Sequence, residues 1–572
     1  MNGNNDTEHL WLKSYPESVD WKMQLKVVAA QTLLDDAAKQ YGNKPAVDFE
    51  GKKTSWNELH DHANKMAKGL QSLGLKKGDK VGLFLPNSPY FIISYYAVLK
   101  AGGTVVNFNP LYAERELVHQ IEDSETDIMI TMDLHLTYDK MQKMLHATRL
   151  EKVIICPIQD LLPFPKNILF KLVKGKELVS VKEDKRRIFY SSIIDNDGKF
   201  EEVSVDPEND VALLQYTGGT TGLPKGAMLT HKNIVANTEQ CAEWLGAGES
   251  DQGQGKMLGV LPFFHVFAMT VVMNLSIREG YEIICLPRFE LEKTLKTIQK
   301  KKPTHFPAVP AIYTAINNFK GLGKYDLSSV SCCVAGGAPL PVEVKKKFEE
   351  TTGCTLVEGY GLTESSPVAC ANPIVGENKA GSIGLPLPGT IVEIIDMENP
   401  GKIMPTGERG ELCITGPQVM KGYWNKEEAT KETLENGTRL HTGDVAIMDE
   451  DGYVYIVDRI KDMIITNGYN VYPRNVEEAI YLHPAVEECI VAGVPDKSRG
   501  EIVKAWIKIK EGRELTVEDI KEFLKDKISP MEIPKMVEFR DEPLPKTLIG
   551  KLSRKDILEE EKAKKQPSPS EE

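Results

Sequence analysis

The sequence predicts an α/β protein: a large N-terminal domain of layered α/β subdomains with a β-rich subdomain, followed by a small mobile α+β lid. Strand-like apolar runs at 80–85, 104–108 and 127–131 alternate with helical patterns such as 56–73. This alternation is typical of layers built on largely parallel sheets. From 367 to 458, many Gly and Pro turns separate short β-rich runs, which indicates the β-rich subdomain.

The last part of the chain has the pattern of a small α+β unit. Strand-like runs at 488–493 and 503–510 precede a helix that begins after Thr516. Asp519 follows Thr516 by three residues, so the pair predicts a capping box at the start of that helix.

The length of the chain requires more than one core. At 572 residues it suggests two to four packing units, and 41% hydrophobic residues are enough to build them. We place the large domain at 1–457 and the lid at 458–572. Residues 559–572 combine charge with Pro and Ser, which predicts a disordered tail.

Composition excludes several classes of protein. A net charge of -13 argues against general nucleic-acid binding. The polar, acid-containing start argues against a secretory signal, and the apolar run 91–99 is too short to cross a bilayer, so it predicts a buried helix. Nine scattered cysteines without metal-binding spacing indicate reduced thiols and a cytoplasmic protein.

The Gly/Thr-rich run 216–231 has the composition of a polyphosphate-binding loop. Glycines let backbone N–H groups approach phosphate, threonine hydroxyls can contact phosphate or Mg²⁺, and Lys225 adds a positive charge. Thr230 is predicted to cap the next helix, which would place the phosphates near a helix N-terminus. The run is not the common P-loop, because Gly226 follows Lys225. The alternative is an ordinary Gly-rich turn.

This run resembles the phosphate-binding signature of the adenylate-forming superfamily of acyl-CoA synthetases, firefly-type luciferases and peptide-synthetase adenylation domains. Six further motifs of that family follow in its order, at 261–269, 335–341, 358–364, 442–444, 458–463 and 545–551. The resemblance covers nearly the whole chain and implies ATP, Mg²⁺ and coenzyme A as cofactors or co-substrates.

The resemblance also implies which residues hold the phosphates and the metal ion. Thr217 and Glu364 become the metal contacts, and Thr363 the contact to the α-phosphate. The alternative for Glu364 is a surface carboxylate. The β- and γ-phosphates would be surrounded by Thr217, Gly218, Gly219, Thr220, Thr221, Gly222 and Lys225.

The nucleoside contacts follow from the same resemblance. Tyr360 would stack on adenine, Asp444 would accept from the ribose hydroxyls, and Arg459 would contact the nucleotide near the domain junction. The alternative for Asp444 is an aspartate in an ordinary turn. The rest of the nucleoside pocket would comprise Gly336, Gly337, Ala338, Pro339, Glu358, Gly359 and Gly361.

Lys551 has the main catalytic role that the resemblance implies, together with Glu364 and Thr363. Its ammonium would bridge the attacking carboxylate and the α-phosphate, although a lysine in a basic tail is often only solvated. The lid of the family then rotates about a hinge, here Lys461, and presents a second face on which Gly468 would let the pantetheine arm approach.

Two residues of the motif at 261–269 are candidates for the acyl pocket. His265 resembles the histidine at the pocket mouth and Met269 a gating side chain, whereas a lone histidine among apolar residues is usually a core group. The apolar run 270–275 favours an aliphatic guest, and 109–117 resembles the long-chain fatty acid branch.

We therefore expect an ATP-dependent fatty acid–CoA ligase for long or medium chains. Rivals are a ligase for an aryl or branched acid, an acyl-AMP ligase that loads a carrier protein, and a luciferase-like oxygenase. Residues 160–176 mix Leu, Ile, Val and Phe with four lysines, which predicts peripheral membrane contact, unless they pack on the protein itself. A homodimer is left open.

Overall fold

The computed structural model describes residues 9–217, 224–246, 252–466, 469–496, 499–547 and 551–565. The chain divides into two compact units. Unit 1 comprises Met1–Ala380, Gly384–Ile391 and Ile414–Leu440, and unit 2 comprises Gly381–Ile383, Val392–Cys413 and His441–Glu572. The domain limits 1–457 and 458–572 stay a prediction.

The helices are α1 Thr32–Tyr41, α2 Trp56–Ser72, α3 Pro89–Lys100, α4 Glu114–Ser124, α5 His135–Ala147, α6 Lys166–Lys174, α7 Tyr190–Ile193, α8 His231–Trp244, α9 Val266–Ala268, α10 Leu275–Glu279, α11 Leu291–Lys301, α12 Pro310–Asn317, α13 Val342–Thr352, α14 Glu427–Thr433, α15 Pro473–Tyr481, α16 Val517–Leu524 and α17 Arg554–Lys565.

The strands are β1 Pro45–Phe49, β2 Lys52–Ser55, β3 Lys80–Phe84, β4 Thr104–Asn107, β5 Thr126–Met132, β6 Lys152–Cys156, β7 Arg187–Phe189, β8 Val211–Thr217, β9 Lys225–Thr230, β10 Lys256–Gly259, β11 Glu282–Cys285, β12 Cys332–Ala335, β13 Thr355–Gly361, β14 Val368–Ala371, β15 Leu385–Pro386, β16 Ile391–Ile395, β17 Gly410–Thr415, β18 Gly422–Tyr423, β19 Leu434–Glu435, β20 Arg439–Met448, β21 Val454–Arg459, β22 Ile464–Thr466, β23 Tyr469–Val471, β24 Val486–Asp496, β25 Gly500–Ile509 and β26 Met536–Arg540.

An eight-stranded sheet, in the order β18-β9-β8-β4-β3-β5-β6-β7, forms the main layer of unit 1. Strands β8, β4, β3, β5, β6 and β7 pair in parallel, and β9 pairs antiparallel with β8. The predicted α/β class is confirmed. The apolar residues of β3, β4, β5 and β6 are buried because helices cover such a sheet.

Helix α3 contains the apolar run that the sequence predicts to be buried. All twelve of its residues are buried, so the prediction of a core helix is confirmed. Within the part of the chain that the structure describes, no helix has both the length and the apolar content that crossing a membrane requires.

Two smaller sheets complete unit 1. One has the order β10-β11-β1-β2 and the other β12-β13-β14-β15. Strands β12 and β13 are parallel, with Ala335 opposite Glu358, so their carboxyl ends lie at the same edge of the sheet. This pairing brings two of the motifs together.

Unit 2 contains two sheet regions. In one, β17 lies next to β20, and β20 pairs antiparallel with β21. The other has the order β23-β22-β25-β24, with β26 beside β25, and its core includes Val476, Ile480, Val491, Ile507 and Leu524. Thr516 and Asp519 form the capping box of α16, as predicted.

The C-terminal segment corrects one prediction. Residues up to Lys565 lie in α17, whereas a disordered tail was expected from 559. Two of its carboxylates are paired with cations of the β-sheet: the carboxylate of Glu561 accepts from the buried Lys504 ammonium at 2.7 Å. Arg540 of β26 donates to Glu560 at 2.6 Å. Residues 566–572 lie outside the described residues.

Candidate active site

The predicted phosphate loop joins two antiparallel strands. Thr217 at the end of β8 lies opposite Lys225 at the start of β9, so both side chains flank the loop. The predicted contacts in between lie outside the described residues; they are Gly218, Gly219, Thr220, Thr221 and Gly222.

The helix N-terminus that was predicted for the phosphates is not at this loop. Thr230 does cap α8: its Oγ1 accepts from the Asn233 N–H at 3.2 Å. However, β9 separates the cap from Lys225, and a strand of this length spans about 17 Å. The prediction was wrong because the loop returns as a strand instead of entering the helix directly.

Glu364 is held beside this hairpin by a residue that the sequence reasoning did not identify. Tyr423 of β18 donates its hydroxyl to Glu364 Oε1 at 2.6 Å, and the Met420 N–H donates to the Glu364 carbonyl at 2.8 Å. Burial and the Glu364 carboxylate raise the pKa of Tyr423, so it remains a donor. The Lys225 ammonium lies 4.6 Å from the centroid of the Tyr423 ring.

Strand pairing explains why Tyr423 reaches both groups. Strand β18 extends the sheet beyond β9, with Tyr423 opposite Ala227 and Gly422 opposite Met228. One aromatic side chain therefore contacts both the predicted phosphate lysine and the predicted metal ligand. Thr217, Lys225, Tyr423 and Glu364 together make one polar cluster in unit 1.

The predicted adenine contacts lie at the shared edge of β12 and β13. Gly336, Gly337, Ala338 and Pro339 follow β12, and the Leu340 N–H donates to Glu358 Oε1 at 3.2 Å. Gly337 has a φ of 78°, a conformation that favours glycine. A Cβ on Gly361 would lie 1.9 Å from the Pro367 carbonyl oxygen, so only glycine fits there.

Tyr360 and Thr363 lie close in sequence to this edge. Tyr360 is half-buried between Gly359 and Gly361 on β13. Thr363 is also half-buried and opens the short 3₁₀ turn Thr363–Ser365, which carries Glu364. The fold therefore places the predicted adenine and α-phosphate residues within one short segment, at the end of β13, that leads to Glu364.

His265 is a neutral group in unit 1. Burial lowers its pKa to about 4, and its Nδ1 accepts from the Phe267 N–H at 3.3 Å. Met269 is fully buried and opens the π-helix Met269–Asn274, and its Sδ lies 3.8 Å from Asn107 Nδ2. Such irregular helical turns are frequent at functional sites.

In unit 2, Asp444 and Arg459 form an ion pair on neighbouring strands. They lie opposite each other on β20 and β21, and Arg459 Nε is 3.0 Å from Asp444 Oδ1. Asp444 is almost fully buried. Its backbone N–H donates to Thr442 Oγ1 at 3.1 Å, which fixes the turn that carries the carboxylate.

Lys551 belongs to the same charged cluster. Burial lowers its pKa to about 8; the positive charges of Arg459 and Arg554 act in the same direction, and Asp444 and Asp462 oppose them. Its backbone N–H donates to Thr547 Oγ1 at 3.2 Å. The structure thus brings Lys551 together with Asp444 and Arg459, which both lie much earlier in the chain.

Arg554 anchors this region, and the sequence assigned it no role. Its guanidinium donates to Glu477 at 2.6 Å, Asp462 at 3.2 Å and Asp458 at 3.4 Å. Burial alone would lower the pKa of Arg554, but these carboxylates raise it. Its position three residues after Lys551 was the only signal in the sequence.

The remaining candidates concern the predicted hinge and second face. Lys461 is exposed in the 3₁₀ turn Ile460–Asp462, directly after β21. Gly468 lies outside the described residues, so its role stays a prediction.

Comparisons with known proteins agree with the family that the motifs indicate. The family model "AMP-binding enzyme" matches residues 34–424, and "AMP-binding enzyme C-terminal domain" matches 475–551. A long-chain-fatty-acid–CoA ligase of Bacillus subtilis is 48% identical, over 96% of this chain and 98% of that protein. One from Escherichia coli O6:H1 is 38% identical, over 97% and 99%.

Solved structures agree with these matches. The crystal structure of ATP-bound MatB from Rhodopseudomonas palustris is 28% identical, with a TM-score of 0.81, and covers 93% of this chain and 99% of that one. An anthranilate CoA ligase in complex with anthranoyl-AMP has the same TM-score at 26% identity, covering 94% and 98%. The chain belongs to the AMP-binding, adenylate-forming enzyme family.

Proposed function

We propose that the protein is an ATP-dependent fatty acid–CoA ligase. A fatty acid and ATP give acyl-AMP and pyrophosphate; acyl-AMP and CoA then give acyl-CoA and AMP. The observation that carries the substrate class is the similarity over nearly the whole chain to relatives named long-chain-fatty-acid–CoA ligases. The charged clusters of the two units supply the chemistry of the first step.

The cluster in unit 1 is suited to Mg²⁺ and the polyphosphate. Thr217 and Glu364 offer the hard oxygen ligands that Mg²⁺ prefers, and the Tyr423 hydroxyl orients the Glu364 carboxylate. When bound, Mg²⁺ offsets negative charge on the phosphates. Lys225 adds a positive charge at the loop end of the hairpin for the β- and γ-phosphates.

The cluster in unit 2 is suited to the reacting groups. Asp444 offers acceptor oxygens to the ribose hydroxyls, and Arg459 holds that carboxylate in place. Lys551 supplies the ammonium between the attacking carboxylate and the α-phosphate. Its pKa is lowered first by burial and then by the positive charges of Arg459 and Arg554, and an incoming anion offsets both effects.

His265 and Met269 are assigned to the acyl group. A neutral imidazole adds no charge beside an aliphatic chain, and the low pKa of His265 keeps it neutral at physiological pH. Met269 is buried and flexible, which suits a side chain that must make room for a guest.

A panel of acids, assayed by pyrophosphate release with and without CoA, tests this function. Fatty acids should support release, and free CoA should convert the adenylate to acyl-CoA. Release that only aryl or branched acids support would favour the rival ligase. Adenylate formation without transfer to free CoA would favour a ligase that loads a carrier protein. Light emission with luciferin would favour a luciferase-like oxygenase.

We further propose peripheral contact with anionic membranes through α6 and its flanks. No residue of α6 is buried, and the exposed fractions of Phe164, Leu172 and Val173 are 79%, 76% and 78%. Lysines lie in the same segment at 166, 171, 174 and 176, so apolar groups and cations together fit a lipid surface.

Charge reversal of these four lysines tests the contact. Sedimentation with phosphatidylglycerol-containing vesicles should fall, while turnover of a soluble acid persists. The matched control reverses four lysines on α11, at 293, 296, 300 and 301. Unchanged sedimentation of the α6 variant would reject this surface. The homodimer stays a prediction that light scattering after size-exclusion chromatography tests.

A further inference from the structure

A group of metal-ligating side chains lies in unit 2, outside the residues assigned above. Glu411 Oε2 is 2.9 Å from His441 Nδ1, and Cys413 Sγ is 3.4 Å from the same nitrogen. All three ligand atoms lie within 4.8 Å of one another. The spacing of these residues in the sequence gave no sign of such a group.

The fold builds this group from two neighbouring strands. Glu411 and Cys413 are two residues apart on β17, so their side chains point to the same face. His441 lies on β20, the strand next to β17. Three ligands on paired strands are held more rigidly than ligands on a loop.

The distances suit one small ion. In a tetrahedral Zn²⁺ site, neighbouring ligand atoms lie about 3.3 to 3.6 Å apart, given bonds of about 2.0 to 2.3 Å. The two contacts of His441 Nδ1, at 2.9 and 3.4 Å, are near this range. A small inward movement of the carboxylate toward the sulfur completes three ligands and leaves a fourth position for water.

The donor set selects the metal. Thiolate, imidazole and carboxylate together favour Zn²⁺, whereas Mg²⁺ prefers oxygen ligands only. The Cys413 side chain is buried, while 19% of the His441 and 17% of the Glu411 side chain remain exposed. An ion can therefore enter from the side of the histidine and the carboxylate.

We propose that Glu411, Cys413 and His441 bind one Zn²⁺ ion, and that the bound ion weakens ATP binding at Asp444. Binding releases the Cys413 thiol proton to solvent and leaves the histidine proton on Nε2. The second half of the proposal rests on the proposed function, because it uses Asp444 as the ribose contact.

The coupling to Asp444 runs through the same carboxylate. Glu411 Oε1 accepts from the Gly443 N–H at 3.0 Å, and Thr442 Oγ1 donates to the Leu412 carbonyl at 2.7 Å. These two bonds hold the turn that carries Asp444. Moving Glu411 toward Cys413 shifts that turn, and with it the Asp444 carboxylate.

Zn²⁺ affinity of the metal-free, full-length protein is measured first, by competition with a chromophoric chelator. One equivalent should bind, and Cys413→Ser should weaken binding at least about tenfold. Cys489→Ser, a buried thiol on β24 of the same unit, is the matched control and should bind Zn²⁺ like the unmodified protein. If the Cys413→Ser variant does not fold, the His441→Gln variant takes its place in this measurement.

Spectroscopy and ATP affinity separate the two halves of the proposal. Co²⁺ in place of Zn²⁺ should give a thiolate charge-transfer band that Cys413→Ser abolishes; its absence, or unchanged Zn²⁺ affinity in Cys413→Ser, overturns the site. Calorimetry with Mg²⁺ and ATP should show weaker binding after one equivalent of Zn²⁺, and unchanged binding overturns the coupling. If Asp444→Ala binds ATP normally, the ribose assignment fails, while the Zn²⁺ measurements still decide the site.

Discussion

Raising the pH should switch off adenylation by removing the charge of Lys551. With a pKa of about 8, its ammonium is about nine-tenths charged at pH 7 and about one-tenth charged at pH 9. If only the charged form bridges the carboxylate and the α-phosphate, kcat/KM for pyrophosphate release falls roughly tenfold over this interval. An ordinary lysine, with a pKa of about 10.4, would lose little charge there.

Bound nucleotide should move this transition. A phosphate beside the ammonium favours its charged form, so the falling limb of kcat at saturating ATP and Mg²⁺ should lie at higher pH than that of kcat/KM. The difference in pH between the falling limb of kcat and that of kcat/KM reports the interaction between Lys551 and the bound anion.

Two variants test whether the fall of kcat/KM near pH 8 comes from the Lys551 side chain. Lys551→Arg keeps a charge at every accessible pH, so its remaining activity should show no falling limb near pH 8. Lys546→Ala, which changes a lysine of the same segment that pairs with Glu488, should keep the limb. A kcat/KM profile that is flat up to about pH 9.5, or a limb that persists in Lys551→Arg, would refute the reasoning.

Three further predictions concern the residues around the two clusters. Lys551→Ala should lower acyl-AMP formation by orders of magnitude but spare thioester formation from supplied acyl-AMP, and Gly468→Trp should do the reverse; equal losses in both half-reactions contradict the assignment. Tyr423→Phe keeps the ring beside Lys225 but frees Glu364, so the Mg²⁺ concentration for half-maximal activity should rise about tenfold. Arg554→Met leaves three buried or half-buried carboxylates without their cation, so urea unfolding should show a loss of roughly 3 kcal/mol.

Local patterns account for what the sequence could predict. The predicted cap at Thr230 and the predicted capping box of Thr516 and Asp519 depend on residues three positions apart, and both form. The alternation of strand and helix patterns is also a local property of the sequence, and it predicted the parallel sheet. The motif residues also depend on short spacings, so Tyr360, Thr363 and Glu364 could be singled out without knowledge of the fold.

Residues that position these groups could not be predicted, because their partners are distant in the chain. Tyr423 reaches Glu364 only because β18 pairs with β9, about 200 residues earlier. Arg554 likewise meets Glu477 and Asp458, which are 77 and 96 residues away. Strand register and helix docking decide such contacts, and a local sequence motif predicts neither of them.

The charge of the whole chain illustrates the same difference between global and local information. A net charge of -13 is a poor guide to a site that must receive ATP and a carboxylate. In unit 2 the fold surrounds Lys551 with two arginines and keeps the nearest acids paired to them. Burial lowers the pKa of Lys551 most, and the two arginines that lie beside it before any anion arrives lower it further. Because the positive groups are already in place, a bound anion meets oriented charges and needs little rearrangement of the protein.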